Sequence, residues 1–464
     1  MRARLSTFFQ YFFYLFIFLV PWQTSLMFRE RTIGKQGSLF EGPWEYGKLA
    51  LTALDIIFLC IVVSGIVWIF ATFSRSELTD KVKILADDWA NRCIVTFALF
   101  AWVSIFWSSD MHLAALSAFR LTEGVCMYAI ARYAHYDHIR VATACIAAAT
   151  IQGFLACWQF FTQEVIANKW LGMAHHSSQQ LGDVVIENSE VRWLRAYGSF
   201  PHPNILGVFL IIGIFFLLYL VERINNKKMI WVLFMCNVCM VTGLFFTFSR
   251  SVWVSCAGAL MFLNIVSRKK KDISENHSKK YQRMSAGTLF AISAMVAWVS
   301  LSLVCAEPLA ARFGIGGWSR LEQKSTQERV WYIKDALQQI HSSWYKGIGI
   351  GQYTYEVFKY DMKQNISRPW YLYQPVHNVF LLVFAELGII GLLLWLAMIL
   401  ILGKRAICIL WERKRVDGVV YATGGIVLTM IGVAFVDHFF WTLQSGILLW
   451  WLGYGFFSRN ISKT

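Results

Sequence analysis

The chain has 464 residues, of which 57% are hydrophobic and only 15% are charged, and its mean hydropathy is +0.49. Soluble domains carry about a quarter charged residues, so the composition excludes a globular enzyme held by a single anchor and indicates a polytopic membrane protein. The net charge of +15 fits a positive-inside bias. It does not indicate nucleic-acid binding, because the basic residues alternate with apolar segments and form no stripe.

Twelve apolar segments have roughly the length needed to cross a bilayer. The first follows the basic residues Arg2 and Arg4 and ends at Pro21-Trp22-Gln23, which lacks the small residues of a signal-peptide cleavage site. We therefore predict an all-α, polytopic bundle of about twelve transmembrane helices. The predicted spans cover residues 8–28, 50–73, 93–108, 112–131, 139–162, 203–221, 229–248, 251–266, 286–305, 378–402, 418–437 and 439–457.

Lys and Arg collect in the short loops on one side of this predicted bundle, most densely at Arg268-Lys269-Lys270-Lys271. The positive-inside rule then predicts a cytoplasmic-membrane protein with both termini in the cytoplasm and two long outer loops, about 163–202 and 306–376. Loops of this length in a compact bundle usually carry function. We divide the chain into N-terminal helices with the first long loop (1–197), a core that contains the second (198–402), and C-terminal helices (403–464).

His202 lies between two prolines, in the sequence Gly198-Ser199-Phe200-Pro201-His202-Pro203-Asn204. The prolines restrict the backbone and favour a turn just before the sixth span. His202 is therefore either a purely structural residue of this turn or a supporting residue of a site at the outer face.

Arg250 lies in Thr247-Phe248-Ser249-Arg250-Ser251-Val252-Trp253, between two apolar runs with almost no loop between them. A guanidinium at the membrane face is costly unless it finds a partner. Three interpretations stay open. Arg250 could clamp phosphate oxygens, which its planar fork can bind in pairs, it could pair statically with a carboxylate, or it could extend into the interface.

Arg329 follows Ser325-Thr326-Gln327-Glu328, which matches a capping box. Apolar residues recur behind it at helical spacing, so the pattern predicts a helix from Ser325 to about Ile340 that packs on the bundle. Arg329 would lie in the first turn, where free backbone N–H groups could help to bind an anion. Alternatively, Arg329 is solvated or pairs with Asp335. The apolar residues are Val330, Ile333, Leu337 and Ile340, and weaker candidates in the same loop are Arg312 and Arg320.

His377 follows Pro375 at the mouth of the tenth span. A histidine there can take a proton from a hydroxyl group near neutral pH, or it can serve as an interfacial hydrogen bonder. A second candidate is the pair Asp437-His438, in which Asp437 could orient an imidazole. The alternative for this pair is that both are polar helix ends between the last two spans.

Gly347, Gly349 and Gly351 resemble a phosphate-binding loop in spacing alone. They do not follow a strand, so we predict a turn that lets the chain pass close to its neighbours. The predicted outer side has no D-x-D motif. The sequence therefore predicts no metal and no other cofactor.

Taken in order, these motifs resemble the O-antigen ligase and O-antigen polymerase superfamily. The resemblance covers about 198–391 and includes the stretch around His377-Asn378 that runs into Glu386-Leu387-Gly388, with a softer similarity at Asp437-His438-Phe439. It implies a metal-independent glycosyltransferase of the GT-C type that works at the outer leaflet. The implied donor is an undecaprenyl-diphosphate-linked glycan, and the implied acceptor is a glycolipid or another glycan.

The resemblance also implies residue roles. Arg250 and Arg329 would hold the diphosphate, and His377 would act as the base that activates the acceptor. A base opposite the leaving group predicts inversion at the anomeric carbon. Ligase and polymerase activities both fit the sequence, and a lipid-linked glycan transporter is a weaker alternative, because the candidate groups cluster at one face of the membrane. The outer segment 29–48 has no counterpart in the resemblance.

Overall fold

A computed structural model of the chain describes residues 2–37, 40–180, 182–274, 286–315, 320–412 and 417–461. Within these residues the protein is mainly α-helical, which confirms the predicted all-α polytopic architecture. Part of the charged loop predicted after the eighth span, residues 275–285, lies outside the described residues.

The helices follow one another along almost the whole chain. They are α1 (Arg2–Leu19), α2 (Ala53–Thr72), α3 (Arg75–Asp87), α4 (Trp89–Val103), α5 (Met111–Tyr133), α6 (His138–Thr162), α7 (Pro203–Val221), α8 (Lys227–Phe246), α9 (Arg250–Ser274), α10 (Ala286–Val304), α11 (Ala306–Phe313), α12 (Arg320–Ser343), α13 (Tyr353–Lys363), α14 (Val379–Glu412), α15 (Gly418–Ala434), α16 (Phe439–Thr442) and α17 (Gln444–Ile461).

Short antiparallel strand pairs stand in the connections near the amino half of the chain. β1 (Ser25–Arg29) pairs with β4 (Leu49–Thr52), and β2 (Thr32–Ile33) pairs with β3 (Gly42–Pro43). In the first long loop, β5 (Glu164–Val165) pairs with β6 (His176–Ser177), and β7 (Val185–Glu187) pairs with β8 (Arg192–Leu194).

Seven helices of the described part are long and apolar enough to cross a membrane, or eight if the bent pair Phe290–Val304 and Ala306–Phe313 forms one span. Three shorter apolar helices, Ser6–Leu19, Arg250–Val266 and Gly418–Ala434, accompany them. Each predicted span overlaps a helix, but the count of twelve stays a prediction. α7 is the most buried of the seven and lies between α6, α8 and α15.

The predicted first span, 8–28, is wrong at its end. Helix α1 stops at Leu19, and the chain turns and enters strand β1 at Ser25. Pro21 explains the difference, because it has no backbone N–H to continue the helical bonding. The apolar residues that follow, including Leu26 and Phe28, are exposed on a strand.

Helix α14 is broken at Gly388, which has φ +64°. The glycine turn at 347–351 packs into this break, where Ile389 N donates to Trp344 O (2.8 Å) and Gly349 N donates to Glu386 O (2.8 Å). A Cβ at Gly347 would lie 2.3 Å from the carbonyl oxygen of Glu386. The turn therefore allows the close backbone approach that we predicted for it.

At the far end of the bundle, Asp88 joins three elements. Arg405 on α14 donates to both oxygens of Asp88 (2.8 and 2.9 Å), and Arg132 at the end of α5 donates to it as well. Burial alone would raise the pKa of Asp88, but the two guanidinium groups outweigh it and lower the pKa to about 2. Asp88 thus ties the start of α4 to α5 and α14.

Replacing Asp88 with asparagine is expected to lower the free energy of unfolding by about 2–3 kcal/mol, because Arg132 is left buried without its counter-ion. Since the folded-state pKa is depressed, this contribution is complete above the ordinary value of 3.8 and is lost as the pH falls toward about 2. Thermal unfolding in detergent measures the effect. Asp87→Asn is the control, because the Asp87 side chain is 80% exposed, and we expect a change of less than about 0.5 kcal/mol. Equal effects of the two variants would contradict the prediction.

Candidate active site

The site begins at the tight corner between α8 and α9. Phe248 at this corner has φ +45°, a conformation that a bulky residue adopts only when its surroundings hold it there. The carbonyls of the corner lie at the carboxyl end of α8, where they have no helical partner and attract cations. Arg195 Nε donates to Thr247 O (2.7 Å), and Arg312 Nε donates to Phe248 O (3.0 Å).

Arg250, the first residue of α9, is paired with a carboxylate. Its Nη2 donates to Glu322 Oε2 (2.8 Å) and its Nη1 donates to Arg312 O (2.9 Å). Arg312 Nη1 donates to the other oxygen of Glu322. Two guanidinium groups therefore share the carboxylate of Glu322. This geometry agrees with the interpretation in which Arg250 pairs statically with a carboxylate. Its role as a phosphate clamp stays a prediction.

The capping-box prediction at Ser325 is wrong. In the described residues helix α12 begins at Arg320, so Ser325 lies inside the helix and Arg329 lies in its third turn. The physical reason is Glu322, which the two arginines hold at the first turn, so that the helix is anchored upstream of Ser325. The backbone N–H groups around Arg329 are therefore used within the helix and cannot bind an anion.

The predicted packing face of α12 is also wrong for three of its four residues, because only Ile340 among them packs against the core. Tyr332, Ala336 and Gln339 are buried, whereas the side chains of Val330 (48% exposed) and Leu337 (54% exposed) face outward. Polar bonds decide the orientation, because Tyr353 Oη donates to Tyr332 O (2.8 Å) and Gln339 Nε2 donates to Tyr353 O (3.1 Å).

Arg329 is exposed and makes no ion pair or hydrogen bond with any described residue. Asp335, its alternative partner, instead accepts two bonds from Arg368 (2.7 and 3.2 Å). Arg320 is 78% exposed and lies 3.8 Å from Glu187. The N–H donors of Arg329 are thus available to bind either phosphate oxygens or water.

His377 lies among aromatic rings just before α14. Its imidazole stacks on Tyr332 (5.7 Å between ring centroids) and meets His438 edge to face (4.9 Å). The Nδ1 atom of His377 is shielded from solvent, while the residue as a whole is half-buried. The sequence analysis named both histidines, and the structure brings them together.

Asp437 lies at the centre of this group. It accepts from Asn204 Nδ2 (2.6 Å) and from the backbone N–H of His438 (2.8 Å), and Asn204 in turn accepts from Arg195 Nη2 (2.7 Å). Burial alone would raise the pKa of Asp437, but His438, His377, His202 and the Asn204 amide together lower it. Asp437 is therefore a buried carboxylate surrounded by three imidazoles.

The three imidazoles favour their neutral forms. Burial lowers the pKa of His202 and that of His438 to about 3, although Asp437 opposes the shift in both. Burial also lowers the pKa of His377, where Asp437 favours the protonated form and Arg329 disfavours it. His202 caps α7, with its Nδ1 accepting from Asn204 N (3.1 Å), and His438 Nδ1 bonds to Thr442 Oγ1 (2.8 Å).

Glu386 holds the glycine turn beside this group. Its carboxylate accepts from Gly351 N (2.8 Å), Tyr353 N (3.1 Å) and Trp441 Nε1 (2.7 Å). These bonds connect α13, α14 and α16. Glu386 is therefore a structural tie rather than a reacting group.

The outer segment 29–48, which has no counterpart in the resemblance, docks on the second long loop. Trp44 Nε1 donates to Thr354 Oγ1 (3.1 Å), and Tyr46 Oη donates to Gln374 Oε1 (2.8 Å). The Tyr46 ring also meets the His438 imidazole edge to face at 5.9 Å. This segment therefore belongs to the site.

Sequence reasoning missed Glu322, Tyr332 and Asn204 as site residues. Glu322 meets Arg250 across 72 positions, and no local pattern marks such a pairing. Asn204 belongs to the predicted turn before α7. The other sequence feature that points to this group is Arg195, a basic residue in the first long outer loop, which donates to Asn204.

A cavity of about 420 Å³ adjoins the histidines. Pro201, Pro375 and Thr442 line it, each of them close in the chain to a histidine of the site, but His377, Arg250 and Arg329 do not. The described part of the chain has no group of three or more His, Cys, Asp or Glu residues arranged to hold a metal ion.

The comparisons with known proteins bear on one region. Residues 235–396 match the family model described as O-Antigen ligase. This stretch contains Arg250, Glu322, Arg329 and His377 and ends beyond the Gly388 break, so it overlaps most of the region of resemblance. No curated protein matches the chain.

Proposed function

Because residues 235–396 place this chain in the O-antigen ligase superfamily, we propose that it transfers a glycan from undecaprenyl diphosphate to a hydroxyl group of an acceptor. The reaction takes place at the outer face of the cytoplasmic membrane and inverts the anomeric carbon. The observation that carries the proposal is the position of His377, a half-buried imidazole that favours its neutral form. It lies next to Asp437, His438 and Arg329, and the Arg329 guanidinium bonds to no described residue.

His377 is the proposed general base. A lowered pKa keeps the imidazole neutral near pH 7, so it can accept the proton of the acceptor hydroxyl. Nδ1 is sealed from solvent, so the proton goes to Nε2. The acceptor oxygen then bonds to the anomeric carbon while the bond from that carbon to the diphosphate breaks. Asp437 stabilises the imidazolium that forms.

Arg329 is the proposed electrostatic group for the leaving diphosphate. Its donors are uncommitted among the described residues, and it lies close enough to His377 to lower the pKa of that imidazole. Arg250 and Arg312 lie nearby, where both pair with Glu322. Fixed guanidinium groups stabilise charge that develops on phosphate oxygens without reorganising during the reaction.

The test uses purified full-length protein in nanodiscs with a radiolabelled undecaprenyl-diphosphate glycan. Two acceptors are supplied in separate reactions, a core glycolipid for ligase activity and a second lipid-linked repeat for polymerase activity. We expect labelled product together with free carrier in one of them, and we expect both to persist in EDTA. An intact donor with both acceptors would contradict the proposal.

The pH dependence of the transfer rate is expected to show an acid limb below pH 6.5, the ordinary histidine value, because the pKa of His377 is lowered. Asp437→Asn should move this limb to lower pH, since the carboxylate favours the imidazolium. Arg329→Gln should move it to higher pH, since the guanidinium disfavours the imidazolium. Single-turnover rates between about pH 5 and 8 measure both shifts. Shifts in the same direction would show that His377 is not the titrating group.

A further inference from the structure

The cavity beside the histidines is bounded by α5, α17 and the segment that leads into β4. Tyr46, whose ring contacts His438, and Thr442, whose hydroxyl bonds to His438 Nδ1, both line it. A molecule in the cavity would therefore be separated from His377 by Tyr46 or Thr442 and then by His438. The arginines assigned to the donor diphosphate do not line it.

Arg120 on α5 presents its guanidinium to this cavity. Its Nη2 donates to Ala50 O at 3.3 Å, and its Nε is buried without a partner. A guanidinium has five N–H donors in a planar fork, and Arg120 makes no ion pair with a described residue. A half-buried guanidinium with a buried Nε that lacks a partner is costly, and a ligand in the cavity could complete its bonding.

The acidic groups around Arg120 are committed elsewhere. Asp55 and Glu123 are its acidic neighbours, but both accept from Gln444 Nε2, which lies at 3.0 Å from Glu123. On the wall formed by the outer segment, Glu45 and Lys48 oppose each other in charge. Glu386, the other carboxylate of the described cavity wall, accepts from Gly351, Tyr353 and Trp441. No carboxylate of the described residues therefore bonds directly to Arg120.

The rest of the lining suits a saccharide. Aromatic rings and small polar groups both line the space. Such a lining offers surfaces on which sugar rings can stack and partners for their hydroxyl groups. The aromatic members are Tyr46, Tyr353, Trp441 and Trp451, and the polar members include Gln23, Ser117 and Thr354.

We propose that this cavity is the acceptor subsite and that it takes a saccharide carrying an acidic group, a carboxylate or a phosphate, which Arg120 binds. The inference rests on the proposed function, which assigns the donor diphosphate to Arg329 and its neighbours and leaves the cavity for the second substrate. The planar fork of Arg120 can hold two oxygens of either acid. The outer segment then contributes one wall of the acceptor subsite through Tyr46 and Lys48.

The probes for the binding test are three trisaccharides that end in glucuronic acid, in glucose 6-phosphate or in glucose. Calorimetric titration of the full-length protein in nanodiscs is expected to show at least about tenfold tighter binding of one acidic probe than of the neutral one. The better acidic probe distinguishes carboxylate from phosphate recognition. Arg120→Gln should abolish this preference, Arg120→Lys should retain part of it, and the exposed Arg140→Gln should leave it unchanged.

Transfer assays then distinguish a failure of the acceptor-subsite inference from a failure of the proposed function. With an acidic acceptor, Arg120→Gln is expected to raise the acceptor KM about tenfold or more and to leave donor affinity unchanged, which also shows that the variant is folded. Equal binding of acidic and neutral probes by the wild type, or an unchanged KM in Arg120→Gln, would overturn this inference while transfer continued. Absence of transfer by the wild type with every acceptor would instead overturn the proposed function.

Discussion

Replacing His377 with alanine is expected to lower the rate of glycan transfer by about 10²–10⁴-fold, the usual contribution of a general base. The affinity for the donor should change little, because His377 is assigned to the acceptor hydroxyl and not to the diphosphate. Single-turnover transfer measures the rate, and binding of the labelled donor to the variant in nanodiscs measures the affinity.

The matched control is His341→Ala, which removes an exposed histidine from the end of α12 and should leave the rate unchanged. His377→Gln keeps most of the volume that stacks on Tyr332 but cannot accept the proton, so we expect it to be as slow as the alanine variant. Full turnover in His377→Gln would rule out the base assignment, even if the alanine variant were unstable.

Arg329→Gln is expected to lower the transfer rate by about 10²–10³-fold, the cost of removing one charge-stabilising donor from a developing oxyanion. The loss should appear mainly in the rate of the chemical step, since the charge on the leaving diphosphate grows in the transition state. Because Arg329 is exposed and bonds to no described residue, its removal should leave the melting temperature unchanged.

Arg320→Gln provides the comparison for Arg329→Gln. It makes the same substitution on the same helix, at a side chain that is 78% exposed and only weakly paired with Glu187. We expect activity close to that of the wild type. Similar losses in both variants would indicate a general electrostatic effect of α12 and would argue against a specific contact between Arg329 and the diphosphate.

The polar residues beside the ends of the predicted spans were the site residues that could be identified from the sequence. His202, His377 and Asp437-His438 each border a membrane-length apolar segment, and such polar residues are expected to meet at one face when the segments form a bundle. The structure groups the three histidines around Asp437. Their chemical roles are untested and stay proposals.

The errors at helix α12 share one physical cause. Apolar periodicity identifies the packing face of a helix only when the opposite face is exposed to water. In a membrane protein an apolar face can point away from the bundle, as Val330 and Leu337 do. The helix is instead fixed by polar bonds that span long distances in the chain, from Glu322 to Arg250 and from Tyr353 to Tyr332. Local sequence does not report such bonds.

The bond between Asn204 and Asp437 joins residues that are 233 positions apart. During synthesis, the ribosome delivers α7 to the membrane long before α15 and α16, so Asp437 reaches its place among the imidazoles only after nearly the whole chain has been inserted. A nascent or truncated chain that ends within α15 would carry Arg329 and His377 but would lack Asp437, the aspartate at the centre of the group. The group of three imidazoles around Asp437 is therefore complete only after the chain has been made beyond α15.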